Sequence, residues 1–285
     1  YKRQSMSTYQ PQSEISRFNV LTPGAWFPVS AGFLEVLSVA LQVGIDSGGA
    51  YDVTVGPLVN LWGFGPVRVV DQPPTAEAIG VAMEGIGQQS LEIDRQQLAV
   101  RKDKAVVLDF SSLAKGYAVD ELARLLREAG IRRYLVEVGG EMKLSGKSPR
   151  GDLWRVGIEQ PSAGKRAAAI AIRLTDAAVA TSGDYRNYFD YKGQRYSHSI
   201  DPKTGYPVAH DLVSVTVVHD SAIWADAWAT ALMVLGSEAA MELARELDLA
   251  VYFIRRTGDN YQHDHSAGFA RYLDDTSRVA HEENP

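Results

Sequence analysis

The segment 196–207, Tyr-Ser-His-Ser-Ile-Asp-Pro-Lys-Thr-Gly-Tyr-Pro, constrains the fold more than any other stretch of the chain. Pro202 has a fixed φ and biases the aspartate before it toward extended geometry, while the glycine and the last proline mark a second bend. The pattern predicts that a strand ends near His198 and that the backbone then folds over a site. Taken alone, the segment fits a histidine hydrogen-bonded beside an ordinary turn better than it fits a reactive one.

The composition is that of an ordinary globular protein, and it argues against several classes of function. The 285 residues are 45% hydrophobic and 22% charged, which suits one large domain with a sizeable core. The net charge of −6, with no basic cluster beyond short pairs such as Arg132-Arg133, argues against a nucleic-acid surface. With no cysteine there is no disulfide, thiolate nucleophile or cysteine-ligated metal. No apolar run approaches the roughly 18 to 20 residues that span a bilayer, so we expect no membrane span in this chain.

Periodicity along the chain predicts a mixture of helices and strands without a simple alternating repeat. The predicted elements are helices over 31–44 and 114–129 and from about 225 and 237, strands over 106–110, 134–138, 154–158, 167–174, 178–180 and 212–218, and a loop over 46–65. There is no internal repeat and no linker, so the sequence predicts an α+β fold in a single domain over 1–285. The polar tail is expected to fray from about residue 265.

The segment 47–65 combines five glycines with the large aromatic residues Trp62 and Phe64. Glycines allow close approach of a backbone to a ligand, and aromatic rings offer flat apolar surface. This combination suits a planar ligand that carries phosphates. It suits equally well a loop that packs onto its own core.

The segment 109–118 places Ser111, Ser112 and Lys115 where a predicted strand meets a predicted helix. Backbone N–H groups and the helix dipole attract anions at such a junction, so phosphate is the natural ligand. The alternative is a serine that only caps the helix and a lysine that is only solvated.

Asp226 and Thr230 are four residues apart in a predicted helix and therefore share one of its faces. Carboxylate and hydroxyl oxygens are hard donors, and Mg²⁺ is usually held by one or two carboxylates together with other oxygens and phosphates. In the alternative interpretation, Asp226 caps the helix and Thr230 bonds back to a carbonyl of its own helix.

Eight segments taken together resemble, in order, the motifs of the ApbE family of FAD:protein FMN transferases, also called flavin transferases. These segments are 13–19, 49–58, 114–120, 139–141, 154–159, 181–185, 198–205 and 225–230. The resemblance runs from about Met6 to Gly236 and implies the T-fold-like α/β architecture of these enzymes. It also implies their reaction, in which the pyrophosphate of FAD is cleaved with Mg²⁺, FMN is attached through a phosphoester to a Thr or Ser hydroxyl of a partner protein, and AMP is released.

The resemblance assigns roles to particular residues of this chain. The expected metal ligands are Asp226 and Thr230, with backbone oxygens of Ala114 and Ala229, and the metal is Mg²⁺ or Mn²⁺. The expected FAD-binding residues are Met6, Tyr9, Ala50, Tyr51, Asp52, Ser111, Lys115, Tyr117 and Ile200, with Lys115 acting on the phosphates.

His198 is the expected general base, because its ordinary pKa of about 6.5 lies near the operating pH. Asp201 is expected to orient it. The alternative is that Asp201 or Asp184 takes the proton and that His198 only contacts phosphate.

The resemblance also suggests partners and a location. The expected acceptor is a flavoprotein of a membrane respiratory complex, and the expected location is the periplasm or the outer face of the cytoplasmic membrane. The targeting segment that often precedes this domain is not part of the chain, which leaves lipid anchoring open. Two other functions use almost the same residues: an FAD-binding carrier without transfer, and an FAD pyrophosphatase that gives FMN and AMP.

Overall fold

The computed structural model describes residues 5–65, 70, 72–161, 168–185 and 187–274. The helices are α1 Glu14–Asn19, α2 Ala31–Asp46, α3 Gly56–Leu61, α4 Ala76–Glu84, α5 Ala114–Glu128, α6 Ala222–Leu235 and α7 Ser237–Glu246, with 3₁₀ turns at Gln88–Ser90 and Ala267–Tyr272. The strands are β1 Phe27–Pro28, β2 Leu91–Asp94, β3 Ala99–Lys102, β4 Tyr134–Val138, β5 Glu141–Ser145, β6 Trp154–Glu159, β7 Ala168–Leu174, β8 Ala177–Gly183, β9 Tyr188–Tyr191, β10 Gln194–Ser197, β11 Leu212–His219, β12 Ala250–Thr257 and β13 Asn260–His265. The predicted mixed α+β class is confirmed.

The chain divides into two compact units. Unit 1 comprises Tyr1–Ala114 and Asn187–Ala209, and unit 2 comprises Lys115–Arg186 and His210–Pro285. The first of the three boundaries along the chain falls directly after Ala114, the first residue of helix α5. That the two units act as one domain over 1–285 stays a prediction.

Unit 1 is built on helix α2 and a small antiparallel sheet of order β1-β3-β2. Ser30 caps α2, since its hydroxyl accepts from the Phe33 N–H at 3.2 Å, and the helix buries Phe33 completely. The fully buried Lys102 lies beneath the end of α1. Its ammonium donates to the carbonyls of Phe18, Asn19 and Val106 at 3.1, 2.9 and 3.1 Å, which satisfies a charge that burial would otherwise penalise. Burial lowers the pKa of Lys102.

Two predictions for unit 1 were wrong. The segment predicted as a loop over 46–65 contains helix α3, because Pro57 stands in its first turn, where a fixed φ suits a helix. The predicted strand over 106–110 contributes only one bridge, between Val107 and Val55. Beyond that bridge, the Asn19 amide donates to the Leu108 carbonyl and its oxygen accepts from the Leu108 N–H, at 2.9 and 2.8 Å, and the Asp109 N–H donates to the Val53 carbonyl at 2.7 Å.

Unit 2 is built on an antiparallel sheet of order β13-β12-β11-β8-β5-β4. Alternate residues of β8 serve two cores, as the period of two in a strand requires. Val179 belongs to a core that includes Leu144, Tyr252 and Phe269, whereas Ala178 packs with Val119 of α5 and Ala222 of α6. Helices α5 and α6 are therefore held on one face of the sheet.

The tail remains packed for longer than the predicted boundary near residue 265. Phe269 is fully buried, with its ring 5.3 Å from that of Tyr252. The carboxylate of Asp274, also fully buried, pairs with Arg155 and Arg173 at 2.5 and 3.0 Å. These contacts pack the chain through Asp274 onto unit 2, and the rest of the predicted tail lies outside the described residues. Within the described ranges, no helix combines the length and apolarity needed to cross a membrane.

Candidate active site

His198 lies directly after strand β10, as the sequence predicts. Its Nδ1 is 3.1 Å from the carbonyl oxygen of Asn187, and its backbone N–H donates to the same oxygen at 3.1 Å. A carbonyl can only accept, so Nδ1 carries the proton and Nε2 is the basic nitrogen of the ring. The ring of Phe64 meets the imidazole edge-on at 6.2 Å. The contacts of unit 1 thus fix both the tautomer and the direction of a candidate general base.

Asp201 takes part in the turn that follows. Its Oδ1 accepts the Lys203 N–H at 2.8 Å, and its backbone pairs with Gly205 and Tyr206. Gly205 has a φ of +80°, so glycine is required here, and Ile200 bridges to Pro207. The hydrogen bond on His198 Nδ1 goes to the Asn187 carbonyl, and the orienting role of Asp201 stays a prediction.

The aromatic residues near this turn form a packed cluster. Trp62 is 1% exposed, stacks on Tyr196 at 5.5 Å, and donates its Nε1–H to the Gly205 carbonyl at 2.8 Å. Phe189 stacks on Tyr196 at 5.1 Å. For Trp62, the second interpretation of segment 47–65 is correct, because this residue packs into the core of its own unit. Its indole connects the end of helix α3 to the turn after His198.

The predicted flavin-binding residues of unit 1 are mostly buried. Ala50 and Tyr51 are 4% and 3% exposed, and the Tyr51 hydroxyl is 2.7 Å from Ser112 Oγ. Asp52 holds a turn, since its carboxylate accepts from Thr54 N, Thr54 Oγ1 and Gln88 N at 2.8, 2.6 and 3.1 Å. The remaining members range from the buried Met6 and Ile200 to the exposed Ser111 and Tyr9.

In unit 2, helices α5 and α6 approach each other closely at Gly116. A Cβ at this position would lie 2.2 Å from the Ala222 carbonyl oxygen, so only glycine fits. The close approach lets the Gly116 N–H donate to Asp226 Oδ2 at 2.9 Å. Asp226 lies in the second turn of α6 and is 3% exposed. The alternative in which it caps its own helix is wrong, because the helix begins at Ala222.

Two buried carboxylates and one ammonium meet beside this contact. Lys115 Nζ is ion-paired with Glu141 Oε1 and lies 3.5 Å from Asp226 Oδ1, and Glu141 is 2% exposed. Burial raises the pKa of Asp226 to about 7 against the opposing effect of Lys115. Burial lowers the pKa of Lys115, but Asp226 and Glu141 outweigh it, so its net pKa is raised. We name these three residues the charge cluster.

Thr230 lies one turn beyond Asp226, and its hydroxyl is 3.3 Å from Ser182 Oγ on strand β8. Ala229, the residue before Thr230, is fully buried. Ala114 at the start of α5 and Tyr117 in the same helix are each 4% exposed. Asp184 follows β8, and its backbone N–H donates to the Val213 carbonyl at 3.2 Å.

The donors of unit 2 fit a hard cation in part. Asp226 and Thr230 offer oxygens on one helix face, and Glu141 Oε2 is buried without a hydrogen-bond partner among the described residues. No group of three or more His, Asp or Glu side chains in the described ranges could hold a metal unaided. A cation here would therefore need hydroxyl, main-chain or phosphate oxygens as well.

Glu141, Ser182 and the Asn187 carbonyl were missed as site residues. Glu141 follows Gly139 and Gly140, which both have positive φ, and that pair of glycines was the available signal. Ser182 lies in the motif segment 181–185, but its contact with Thr230 depends on how α6 packs on β8, and Asn187 meets His198 through the pairing of β9 with β10.

Comparison with known proteins places these features in one family. A family model described as the ApbE family matches residues 2–253. The FAD:protein FMN transferase of Escherichia coli K12 is 42% identical over 273 residues, which cover 95% of this chain and 78% of the relative. That of Vibrio cholerae is 44% identical over 269 residues, covering 94% and 80%.

Solved structures agree with the sequence relatives. The flavin transferase ApbE from Vibrio cholerae superposes with a TM-score of 0.88 at 42% identity, covering 95% of this chain and 86% of the other. The apo flavinyl transferase ApbE of Pseudomonas stutzeri gives a TM-score of 0.87 at 41% identity, covering 95% and 84%.

Proposed function

Because this chain belongs to the ApbE family, we propose that it is an FAD:protein FMN transferase that attaches FMN to a Ser or Thr hydroxyl of a partner flavoprotein. The observation that carries this conclusion is 42% identity over 95% of the chain to a protein of that name. The motif resemblance to the family is confirmed by the same match.

In the proposed reaction, the acceptor hydroxyl attacks the phosphorus that belongs to FMN. A new P–O ester bond forms, the P–O bond of the pyrophosphate breaks, and AMP leaves with the electron pair. The hydroxyl proton passes to Nε2 of His198, whose Nδ1–H is held by the Asn187 carbonyl at 3.1 Å. Asp201 or Asp184 is the alternative base.

We assign cation binding to Asp226 and Thr230, with main-chain oxygens of Ala114 and Ala229. Mg²⁺ or Mn²⁺ would neutralise the charge that develops on the phosphates. The Gly116 N–H fixes the direction of the Asp226 carboxylate, at 2.9 Å from Oδ2. Lys115 adds a positive charge for the phosphates.

We also assign a set of residues to FAD binding. The proposed contacts are Met6, Tyr9, Ala50, Tyr51, Asp52, Ser111, Tyr117 and Ile200. Because Ala50, Tyr51 and Ile200 are almost fully buried, we expect each to offer only a small contact area to FAD.

We further propose that the acceptor belongs to a membrane respiratory complex and that the enzyme acts in the periplasm or on the outer face of the cytoplasmic membrane. The support is the family resemblance. It can be tested by locating the protein in fractionated cells and by identifying the flavinylated protein that disappears when its gene is deleted.

The decisive experiment combines the protein with FAD, Mg²⁺ and an acceptor domain that carries a Ser or Thr target, and measures AMP and the intact mass of the acceptor. A mass gain of one FMN per AMP is expected. His198→Ala should lower the rate by about 10²- to 10⁴-fold, the range for loss of a general base. AMP without a mass gain would indicate a pyrophosphatase, and bound FAD with neither product would indicate a carrier.

A further inference from the structure

We propose that Lys115 is a built-in counter-ion that occupies the cation position at Asp226 until a divalent metal arrives, and that Glu141 receives Lys115 when it is displaced. The inference rests on the proposed function, which assigns Asp226 as a metal ligand. It makes Lys115 a determinant of metal affinity and Glu141 a positioning residue.

The contacts of the charge cluster support the first part. Lys115 Nζ touches both carboxylates, at 3.5 Å from Asp226 Oδ1 and in an ion pair with Glu141 Oε1. The second oxygen of Asp226 accepts from Gly116 N, so the ammonium faces the oxygen that a metal would take. A buried carboxylate needs a counter-charge, and here an amine supplies it.

The exposure of the three side chains decides which of them can move. Glu141 and Asp226 are 2% and 4% exposed as side chains, whereas Lys115 is 35% exposed. A lysine stem is long and flexible, and the two carboxylates are fixed within the fold. An arriving cation would therefore displace the ammonium and leave the carboxylates in place.

Glu141 has the capacity to receive the displaced ammonium. Its Oε2 is buried and lacks a hydrogen-bond partner throughout the described residues, while an ammonium has three N–H donors. The turn before it favours the move, since Gly139, with a φ of +65°, lies against the stem of Lys115: a Cβ there would be 3.1 Å from Lys115 Cδ. Repulsion between Lys115 and a divalent cation would complete the transfer.

Charge accounting gives opposite expectations for the two partners of this one ion pair. With both carboxylates ionised, as in a metal-bound state, two carboxylates and one ammonium leave a charge of −1 for the cation. Removing the ammonium leaves −2 and removes the competitor, which strengthens metal binding. Removing the charge of Glu141 leaves Lys115 with Asp226 alone, which weakens metal binding.

The test measures Mn²⁺ binding without FAD, from the loss of the free-ion EPR signal, for the wild type and for isosteric variants. We expect about tenfold tighter binding for Lys115→Met and about tenfold weaker binding for Glu141→Gln, with each tenfold step equal to 1.4 kcal/mol. Lys115→Arg should stay near the wild type. Lys143→Met is the matched control, because Lys143 pairs with Asp120 at 2.6 Å between the same helix and strand. It should leave Mn²⁺ affinity unchanged.

Thermal unfolding provides a second readout that a misfolded variant cannot imitate. Lys115→Met should melt lower than the wild type without metal and gain more in Tm when Mn²⁺ is added. A merely structural ion pair would lower Tm equally with and without metal.

Equal or weaker Mn²⁺ binding by Lys115→Met, or equal or tighter binding by Glu141→Gln, would overturn the proposal. Asp226→Asn separates this failure from a failure of the proposed function. If Asp226→Asn binds Mn²⁺ as the wild type does, the metal assignment itself is wrong. If it loses binding while Lys115→Met does not gain, the function stands and the counter-ion role falls. Absence of binding in both the wild type and Lys115→Met would overturn the counter-ion role, and the transfer assay with FAD and an acceptor would then decide separately whether the function stands.

Discussion

Helix α5 and strand β5 are joined by two ion pairs of opposite polarity, and their carboxylates differ in how completely they are bonded. Asp120 on the helix accepts from Lys143 through Oδ1 at 2.6 Å, and through Oδ2 from Ser221 Oγ and Ile223 N at 2.7 and 3.0 Å. Glu141 on the strand pairs with Lys115 through Oε1, while Oε2 lacks a hydrogen-bond partner in the described part of the chain.

The difference separates a structural ion pair from one that can respond to a ligand. Asp120 accepts the Ile223 N–H in the first turn of α6 and the hydroxyl of Ser221 just before it, and so helps to fix where that helix begins. The Lys115 pair is shared with Asp226 and leaves bonding capacity unused. Two pairs on the same elements can therefore serve stability and chemistry separately, and substitutions should distinguish them.

The largest expected effect is on activity, at Asp226, the carboxylate that shares Lys115 with Glu141. Asp226→Asn removes the buried anion that the cation needs, so the rate of FMN transfer should fall on the order of 10³-fold, or about 4 kcal/mol in the barrier. The free energy of unfolding should change little, because one of two neighbouring buried carboxylates is neutralised. Transfer kinetics and urea unfolding, measured on the same preparation, check the rate and the stability. A loss of stability equal to that of Asp120→Asn would contradict the distinction between the two ion pairs.

Asp120→Asn should show the reverse pattern. Neutralising the helix cap weakens hydrogen bonds to a charged acceptor, and we expect a loss of about 2 kcal/mol in the free energy of unfolding. The kcat of the folded fraction should remain within about twofold of the wild type, a barrier change below about 0.5 kcal/mol. A large fall in kcat with unchanged stability would show that Asp120 belongs to the chemistry.

Gly139→Ala and Gly130→Ala form a matched pair. Both glycines have positive φ, +65° and +80°, so each substitution should cost about 1 kcal/mol of stability. A Cβ at Gly130 meets no atom within 4 Å, whereas at Gly139 it lies 3.1 Å from Lys115 Cδ. Only Gly139→Ala should alter Mn²⁺ affinity. Equal affinities of the two variants would show that the turn at Gly139 does not contribute to the metal site.

The smallest expected effect is a pH dependence of stability that arises at His219, near the ion pair of Asp120 and Lys143. Burial lowers the pKa of His219, whose Nδ1 accepts the Ser221 N–H at 3.0 Å at the start of α6. The unfolded chain therefore binds more protons than the folded one once pH falls below about 6.5, so this contribution is complete above that pH and lost as pH falls through the folded pKa. His219→Gln should flatten the fall in Tm between pH 7 and 5; an unchanged slope would assign the dependence to other groups.

The sequence predicted those features that depend on local chemistry. The apolar spacing of 31–44 and the glycine at 130 marked α2 and α5 closely, and Pro202 and Gly205 placed the end of a strand before His198. Asp226 and Thr230 share a helix face because spacing alone determines it. These predictions needed no knowledge of distant neighbours.

Most of the features that escaped prediction depend on distant pairing. Glu141 meets Lys115 because β5 lies beside β8 under α5, and the Gly116 contact with Asp226 depends on two helices crossing at one glycine. Helix α3 was missed because its glycines resemble a loop in composition, and the predicted strand over 106–110 was wrong because the N–H and carbonyl of Leu108 bond to Asn19. Long-range contacts therefore decided the positions of Glu141 and Gly116 and the structure of 106–110, whereas α3 was misjudged on local composition.

The three carbonyls around Lys102 have a consequence for chemical labelling. An amine that donates to Phe18, Asn19 and Val106 within a closed core cannot meet an acylating reagent in solution. Lysines on the surface would be labelled at once, and Lys102 only when unit 1 opens. The rate at which its peptide gains mass would therefore report the opening of that unit alone, in a protein that carries no cysteine to label.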